Sequence, residues 1–356
     1  MENAYTVGIV GAGPIGLELA VALKRAGVRY IQWEAGQIGS TMQWWPPGTR
    51  WFSSPERIAI AGVPLVTQAQ EKATREEYLA YLRGVVGQFG LGVHTYERVS
   101  SVQCPVSSTG DGGPGDFVVR TRTLAGEERN YAVRRLVLCT GGTAKPRLLG
   151  VPGEDLPHVS HYLADPHAYF GQRILVVGGR NSAVEAALRC YRVGARVALS
   201  YRRPALDAQD IKYWLYPEIR SLLKTGRIAG HFSTHIRAIT PQAVVLEDAT
   251  GHAEEVAANF VLLMTGYMAD MSLFEMLGVE LEEGRQVPLI NEQTMETSVP
   301  GVYVAGTAVA GTQEKYHVFL ENCHVHVERI VEALTGQAAA GVALETPEDV
   351  VVRPES

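Results

Sequence analysis

Gly11-Ala12-Gly13-Pro14-Ile15-Gly16 stands where the apolar run Thr6-Val7-Gly8-Ile9-Val10 gives way to Leu17, Leu19, Ala20 and Leu23 at helical spacing. In a strand, G-x-G-x-x-G turn and helix, the first glycine makes the tight turn and the second lets backbone N–H groups approach a pyrophosphate. The third lets helix and strand pack closely. The helix N-terminus then faces the anion. A second strand, Tyr30-Ile31-Gln32-Trp33, ends at Glu34, about 20 residues on, where an acceptor for ribose hydroxyls belongs. This βαβ opening predicts a dinucleotide, FAD or NAD, on Gly11, Gly13, Pro14, Ile15, Gly16 and Glu34.

The pattern recurs. Arg173-Ile174-Leu175-Val176-Val177 turns at Gly178-Gly179-Arg180-Asn181-Ser182-Ala183, continues as a helix and returns as Val197-Ala198-Leu199-Ser200-Tyr201. Arg180 replaces the second glycine, Ala183 keeps a small residue at the third, and Arg202-Arg203 stand where the acid would be. Guanidinium groups cannot accept from a 2′-hydroxyl but bind a 2′-phosphate bidentately, which favours NADPH over NADH. Solvated arginines at a strand end are the plainer alternative. Two such openings predict an α/β fold with two Rossmann-like dinucleotide-binding domains, one inserted in the other.

Composition narrows the partners. Lys+Arg of 32 against Asp+Glu of 38 gives a net charge of −6 without a basic cluster, which argues against nucleic acid. No apolar run approaches the ~20 residues of a membrane span. The four cysteines, Cys104, Cys139, Cys190 and Cys323, are too scattered for a C-x-x-C dithiol or paired zinc ligands. Without a basic n-region and cleavage site near Met1, the expected compartment is the cytoplasm. Boundaries are expected as a FAD-binding domain over 1–160 and 285–340, an NADPH-binding domain over 161–284 and a flexible tail at 341–356. The Ser/Gly/Pro-rich stretch from Cys104 to Asp116 reads as a hairpin tip.

With an acid-terminated and an Arg-terminated dinucleotide fold, the chain resembles two-domain flavoprotein reductases of the thioredoxin-reductase type. Leu138-Cys139-Thr140-Gly141-Gly142, Thr265-Gly266-Tyr267 and the run from Thr297 to Gly306 support this. More specifically, it resembles the bacillithiol-disulfide reductase family known as YpdA or Bdr. The likeness rests on Phe52-Ser53-Ser54, Val63-Pro64, His161-Tyr162, the Gly178-Gly179-basic-Asn181-Ser182-Ala183 turn, Ile211-Lys212-x-Trp214 and Glu321-Asn322. The resemblance implies FAD and NADPH as cofactors, a low-molecular-weight disulfide as substrate and a homodimer. It places Thr140, Gly141, Gly306 and Thr307 with the FAD residues, and Gly266 with Gly178, Gly179, Arg180, Asn181, Ser182, Arg202 and Arg203. The family carries a cysteine where this chain has Ile15, and many related flavoenzymes carry an Asp where it has Thr307. An aliphatic side chain cannot form a mixed disulfide.

Among the remaining thiols, Cys323 is the candidate, since Cys323-His324-Val325-His326 sets imidazoles beside it. A buried thiol between two satisfied histidines is the alternative, because neighbours at i and i+1 do not face each other on a helix. Trp45 and Phe52, in the aromatic stretch from Trp44 to Phe52, wall the flavin in one reading. In another, that stretch docks a partner or packs a core loop. Three functions remain open: a low-molecular-weight disulfide reductase, a ferredoxin- or flavodoxin-type NADP reductase serving a small redox protein, and a non-catalytic dinucleotide-binding sensor.

Overall fold

A computed structural model describes residues 5–68, 71–104, 116–313 and 317–339. The expected tail and all of the hairpin tip between Cys104 and Asp116 lie outside them. Two compact units are present. One holds the described residues up to Gln43, Arg50–Lys145 and those from Tyr267 onward; the other holds Trp44–Thr49 and Pro146–Gly266. The second is thus inserted within the first along the sequence.

In the first unit, strand β1 (Tyr5–Val10) is buried from Val7 onward, as a strand covered on both faces must be. It pairs in parallel with β2 (Tyr30–Trp33) on one side and Glu128–Leu138 on the other, with Val10 opposite both Trp33 and Leu138. Val302–Val304 adds to the same long strand, Val304 opposite Leu138. Four strand ends therefore share one edge, from which Gly11, Glu34, Thr140 and Gly306 emerge. Ligands of parallel α/β sheets bind at such carboxyl-terminal edges. Helix α1 (Pro14–Arg25) is buried from Ile15 to Leu23 and ends on Lys24 and Arg25, whose charges suit its C-terminus.

The second unit has its own five-stranded parallel sheet, ordered Ala229–Phe232, Arg196–Tyr201, Arg173–Val177, Phe260–Leu263 and Val159–Ser160. Helix Asn181–Arg192 packs Val184, Ala187, Leu188 and Cys190 into its core. A three-stranded antiparallel sheet, Thr234–Ile239, Ala243–Asp248 and Ala253–Ala257, completes it.

The observed crossings, after Lys145 and after Gly266, differ from the expected boundaries at 160 and 284. Val159 pairs with Val261, which commits the segment before residue 161 to the second sheet. Phe274 and Leu277 of helix Ser272–Leu277 pack with Val99, Val102 and Phe117 of the first unit. Burying each contributes about 2 kcal/mol, which holds that helix in the first unit. The last helix of the first unit spans His324–Thr335. No described helix is long and apolar enough to cross a membrane.

Candidate functional site

The glycines of the first turn divide their tasks. Gly11 has φ +109°, and a Cβ there would lie 2.4 Å from the Cys139 carbonyl oxygen. A Cβ on Gly16 would lie 2.3 Å from the carbonyl oxygen of Gly11. Both positions are closed to any side chain. At Gly13 a Cβ would meet nothing within 4 Å, so this glycine leaves open space over the backbone. Gly13 caps α1 without a side-chain hydrogen bond, Pro14 needs no donor at the first helical position, and the first turn carries no acid. Its free N–H groups and positive dipole end suit an anion.

Glu34 is buried against this turn. Its Oε2 accepts the Ala12 N–H at 2.8 Å, and its Oε1 accepts from the Gly36 N–H at 2.8 Å and the Ser40 hydroxyl at 3.1 Å. A carboxylate has about four lone-pair sites, which leaves capacity for one more donor. The buried Thr140 Oγ1 has no hydrogen-bond partner among the described residues. Thr307 Oγ1 accepts the Gly142 N–H at 2.9 Å and keeps its own hydrogen to donate. Gly306, at φ +77°, faces Ile15, whose Cβ would lie 3.5 Å from a Cβ at Gly306. The structure thus gathers Gly11, Gly13, Pro14, Ile15, Gly16, Glu34, Thr140, Gly141, Gly306 and Thr307 at one sheet edge. An open glycine, an uncapped helix start, a part-satisfied carboxylate and an orphaned hydroxyl fit a dinucleotide.

In the second unit, Gly178 at φ +136° occupies the place of Gly11, and a Cβ there would lie 2.5 Å from the Met264 carbonyl oxygen. A Cβ at Gly179 would overlap the Tyr201 ring, at 2.4 Å. Asn181 Oδ1 accepts the Lys212 N–H at 2.6 Å. Arg202 and Arg203 are exposed, and Ser182 lies on the open side of the helix start. Asp210, which sequence reasoning missed, stands 3.4 Å from Arg180 Nε and 3.5 Å from Arg203 Nη1. No motif marks it. Gly266 accepts the Arg147 N–H and closes the unit.

Cys323 is not placed as a redox thiol. It is fully buried, its Sγ donates to the Phe319 carbonyl at 2.9 Å, and burial with the nearby Glu18 carboxylate pushes it far above the ordinary thiol range. Burial pushes Cys139 and Cys190 up to about 12. Only the thiolate is nucleophilic, and none of these three forms it near neutrality. Cys104 is exposed, with Sγ 3.9 Å from the Leu277 carbonyl.

The histidines beside Cys323 are in opposite states. His324 Nδ1 lies 2.7 Å from Glu18 Oε2 and Nε2 lies 3.1 Å from the Arg57 carbonyl. Both acceptors call for a proton on each nitrogen; the Glu18 carboxylate and the carbonyl outweigh desolvation and raise the imidazole above its ordinary 6.5. Glu18 Oε1 also accepts the Ala61 N–H at 2.9 Å. His326 Nδ1 instead accepts the Gly306 N–H at 3.2 Å, and burial lowers this ring to about 4. The aromatic stretch divides between units: Trp44 meets Tyr162 edge-on at 4.9 Å and Trp45 belongs with it to the second unit, whereas Phe52 lies under Lys72 in the first.

Residues 8–306 match the family model described as pyridine nucleotide-disulphide oxidoreductase. Bacilliredoxin reductase Bdr of Bacillus subtilis is 35% identical over 318 residues, 89% of this chain and 94% of that protein. A ferredoxin–NADP reductase of Ignicoccus hospitalis is 28% identical, covering 84% of this chain and 88% of that protein. Among solved structures, the bacillithiol disulfide reductase Bdr (YpdA) from Bacillus cereus superposes with a TM-score of 0.86 at 34% identity, covering 94% of this chain and 99% of that one. The chain belongs to the pyridine nucleotide-disulphide oxidoreductase family, whose members are FAD-containing, pyridine-nucleotide-dependent oxidoreductases, and the α/β expectation of two Rossmann-like folds holds.

Proposed function

We propose that this member of the pyridine nucleotide-disulphide oxidoreductase family uses NADPH and FAD to reduce a low-molecular-weight disulfide of the bacillithiol type, without a thiol of its own. NADPH and one proton convert one disulfide to two thiols and NADP⁺. Likeness to the bacilliredoxin reductase supports the substrate class. The observation that carries the thiol-free mode is Ile15 packed toward Gly306 in a chain whose nearby thiols, the half-buried Cys139 and the buried Cys323, stay protonated. FAD, when bound, supplies hydride acceptance and delivers both electrons onward.

The chain's residues bind and orient. The α1 N-terminus and Gly13 backbone hold the pyrophosphate, Glu34 the ribose, and the orphaned Thr140 hydroxyl and Thr307 take further polar atoms. Arg202 and Arg203 take the 2′-phosphate of NADPH, with Asp210 orienting Arg203 beside Arg180; Ser182 and Asn181 open the helix beneath it. Ile15 keeps water from the site where the family has sulfur. Four free cysteines support a reducing cytoplasm as the working compartment, and the homodimer is carried over from the resemblance.

The test is NADPH consumption with bacillithiol disulfide. We expect stimulation above the oxidase background that persists in Cys323→Ala; no stimulation overturns the substrate reading. The absent thiol and the ferredoxin–NADP reductase relative favour a second reading, a small redox protein as acceptor. Cytochrome reduction dependent on added ferredoxin, with no response to the disulfide, would select it.

A further inference from the structure

His326 is a buried histidine with a task that its helix does not require. The first turn of an α-helix leaves its own N–H groups free, yet the imidazole at His326 reaches outside helix His324–Thr335 to a backbone amide, that of Gly306. Gly306 is the residue at positive φ that follows Val302–Val304 and faces Ile15. An amide held by a side chain can neither rotate nor take another partner without leaving a buried donor unpaired. The bond uses the Nδ1 lone pair, so the ring proton sits on Nε2 and the imidazole must be neutral.

We propose that His326 is a positioning residue of the FAD site: through Nδ1 it holds the Gly306 amide, and with it the turn opposite Ile15, in the shape that binds the cofactor. The proposal rests on the FAD reading above. Its surroundings maintain the neutral ring. Burial opposes a positive charge on the ring first of all, and Arg329 and His324, on the same helix, add to it. The ring borders a cavity of about 350 Å³ that Arg329, Glu282 and Glu292 also line, so protons reach it from that side. Protonation at about 4 removes the acceptor and turns the ring into a donor facing the Gly306 N–H, which releases the turn.

The experiment compares FAD binding by purified apoprotein in wild type, His326→Phe and His326→Asn, with thermal melting of each apoprotein alongside. Phenylalanine fills the volume but accepts nothing; the asparagine oxygen can stand where Nδ1 stood. We expect His326→Phe to raise the FAD dissociation constant about tenfold, with a lower apoprotein Tm from the unpaired Gly306 N–H, and His326→Asn to recover most of both losses. In wild type, bound flavin should leave as pH falls through about 4, a step that His326→Asn lacks while Glu18 and His324 still titrate as before. Wild-type affinity in the Phe variant, or an acid profile unchanged in the Asn variant, overturns the assignment. Should the Phe variant not fold, the Asn acid profile decides alone. A wild type that takes up no FAD overturns the underlying reading, a result distinct from uptake that is indifferent to residue 326.

Discussion

The two glycine turns are copies of one device put to different use. Gly11 and Gly178 each sit at positive φ beneath the carbonyl that follows a neighbouring parallel strand, 2.4 Å and 2.5 Å from where a Cβ would be. Two positions past Gly16 and Ala183, the helices even carry the same residue, Glu18 and Glu185. There the likeness ends. Glu18 is wholly buried against His324, whereas Glu185 is partly exposed beside Lys212 and Arg189. Glu34 is locked by two backbone amides and a hydroxyl, whereas Arg202 and Arg203 stand in solvent. Buried, fixed partners suit a dinucleotide that stays; exposed charges suit one that comes and goes with each turnover.

The comparison breaks most visibly at the shared glycine. Gly11→Ala should cost at least about 3 kcal/mol in chemical denaturation, because the obstructing atom is backbone and φ is positive. Gly13→Ala, with open space around the new methyl, should leave the denaturation midpoint nearly unchanged and weaken FAD uptake instead.

The paired glutamates come next. His324→Ala strands a buried carboxylate and should cost about 3 kcal/mol, against about 1 kcal/mol for Lys212→Ala beside the more exposed Glu185. The pair also gives the first unit a pH signature. The His324 value is raised in the folded state, so its contribution is complete below the unfolded value near 6.5 and is lost as pH rises through the higher folded value. Glu18, itself raised by burial, also loses stability on ionising. Thermal melting should therefore show wild type losing more stability than the double variant Glu18→Gln/His324→Ala, which removes both titrating groups, on going from pH 6 to pH 9 on either side of about 6.5; an equal loss in both would remove the charged pair.

At the second turn, Arg202→Ala and Arg203→Ala should each raise KM for NADPH about tenfold, leave KM for NADH alone and spare the Tm. Equal effects on both nucleotides would erase the distinction between the turns. Smallest of all, Cys323→Ala should leave turnover unchanged.

Much of this was legible because its signals are local. Gly11, Gly13, Gly16 and Glu34 lie within one βαβ unit, and alternation between apolar runs and glycines located the strands around them. Partners far apart in sequence left fainter marks. Glu18 and His324 are 306 residues apart, and the only local sign of their contact was an acid inside an otherwise apolar helix face. Asp210 carried no sign at all, being one acid in a polar loop. The chain's passage between units was misjudged for the same reason: Val159 joins the second sheet by pairing with Val261, a partner too distant for any window of sequence to register. Cys323 drew attention through adjacent histidines, yet one points to Glu18, the other to Gly306, and the thiol to neither.

The insertion of one unit into the other also orders events at the ribosome. Residues 146–266, nearly all of the second unit, emerge together and can complete their parallel sheet as a block. The first unit cannot. Its long strand Glu128–Leu138 emerges early, but Val302–Val304, which covers Leu136 and Leu138, arrives only after the whole insert has been made. Through that interval the nascent chain carries an unpaired apolar sheet edge of the kind that recruits other chains. Chaperone dependence and aggregation on overexpression should therefore trace to the first unit, whose sheet is the last to close.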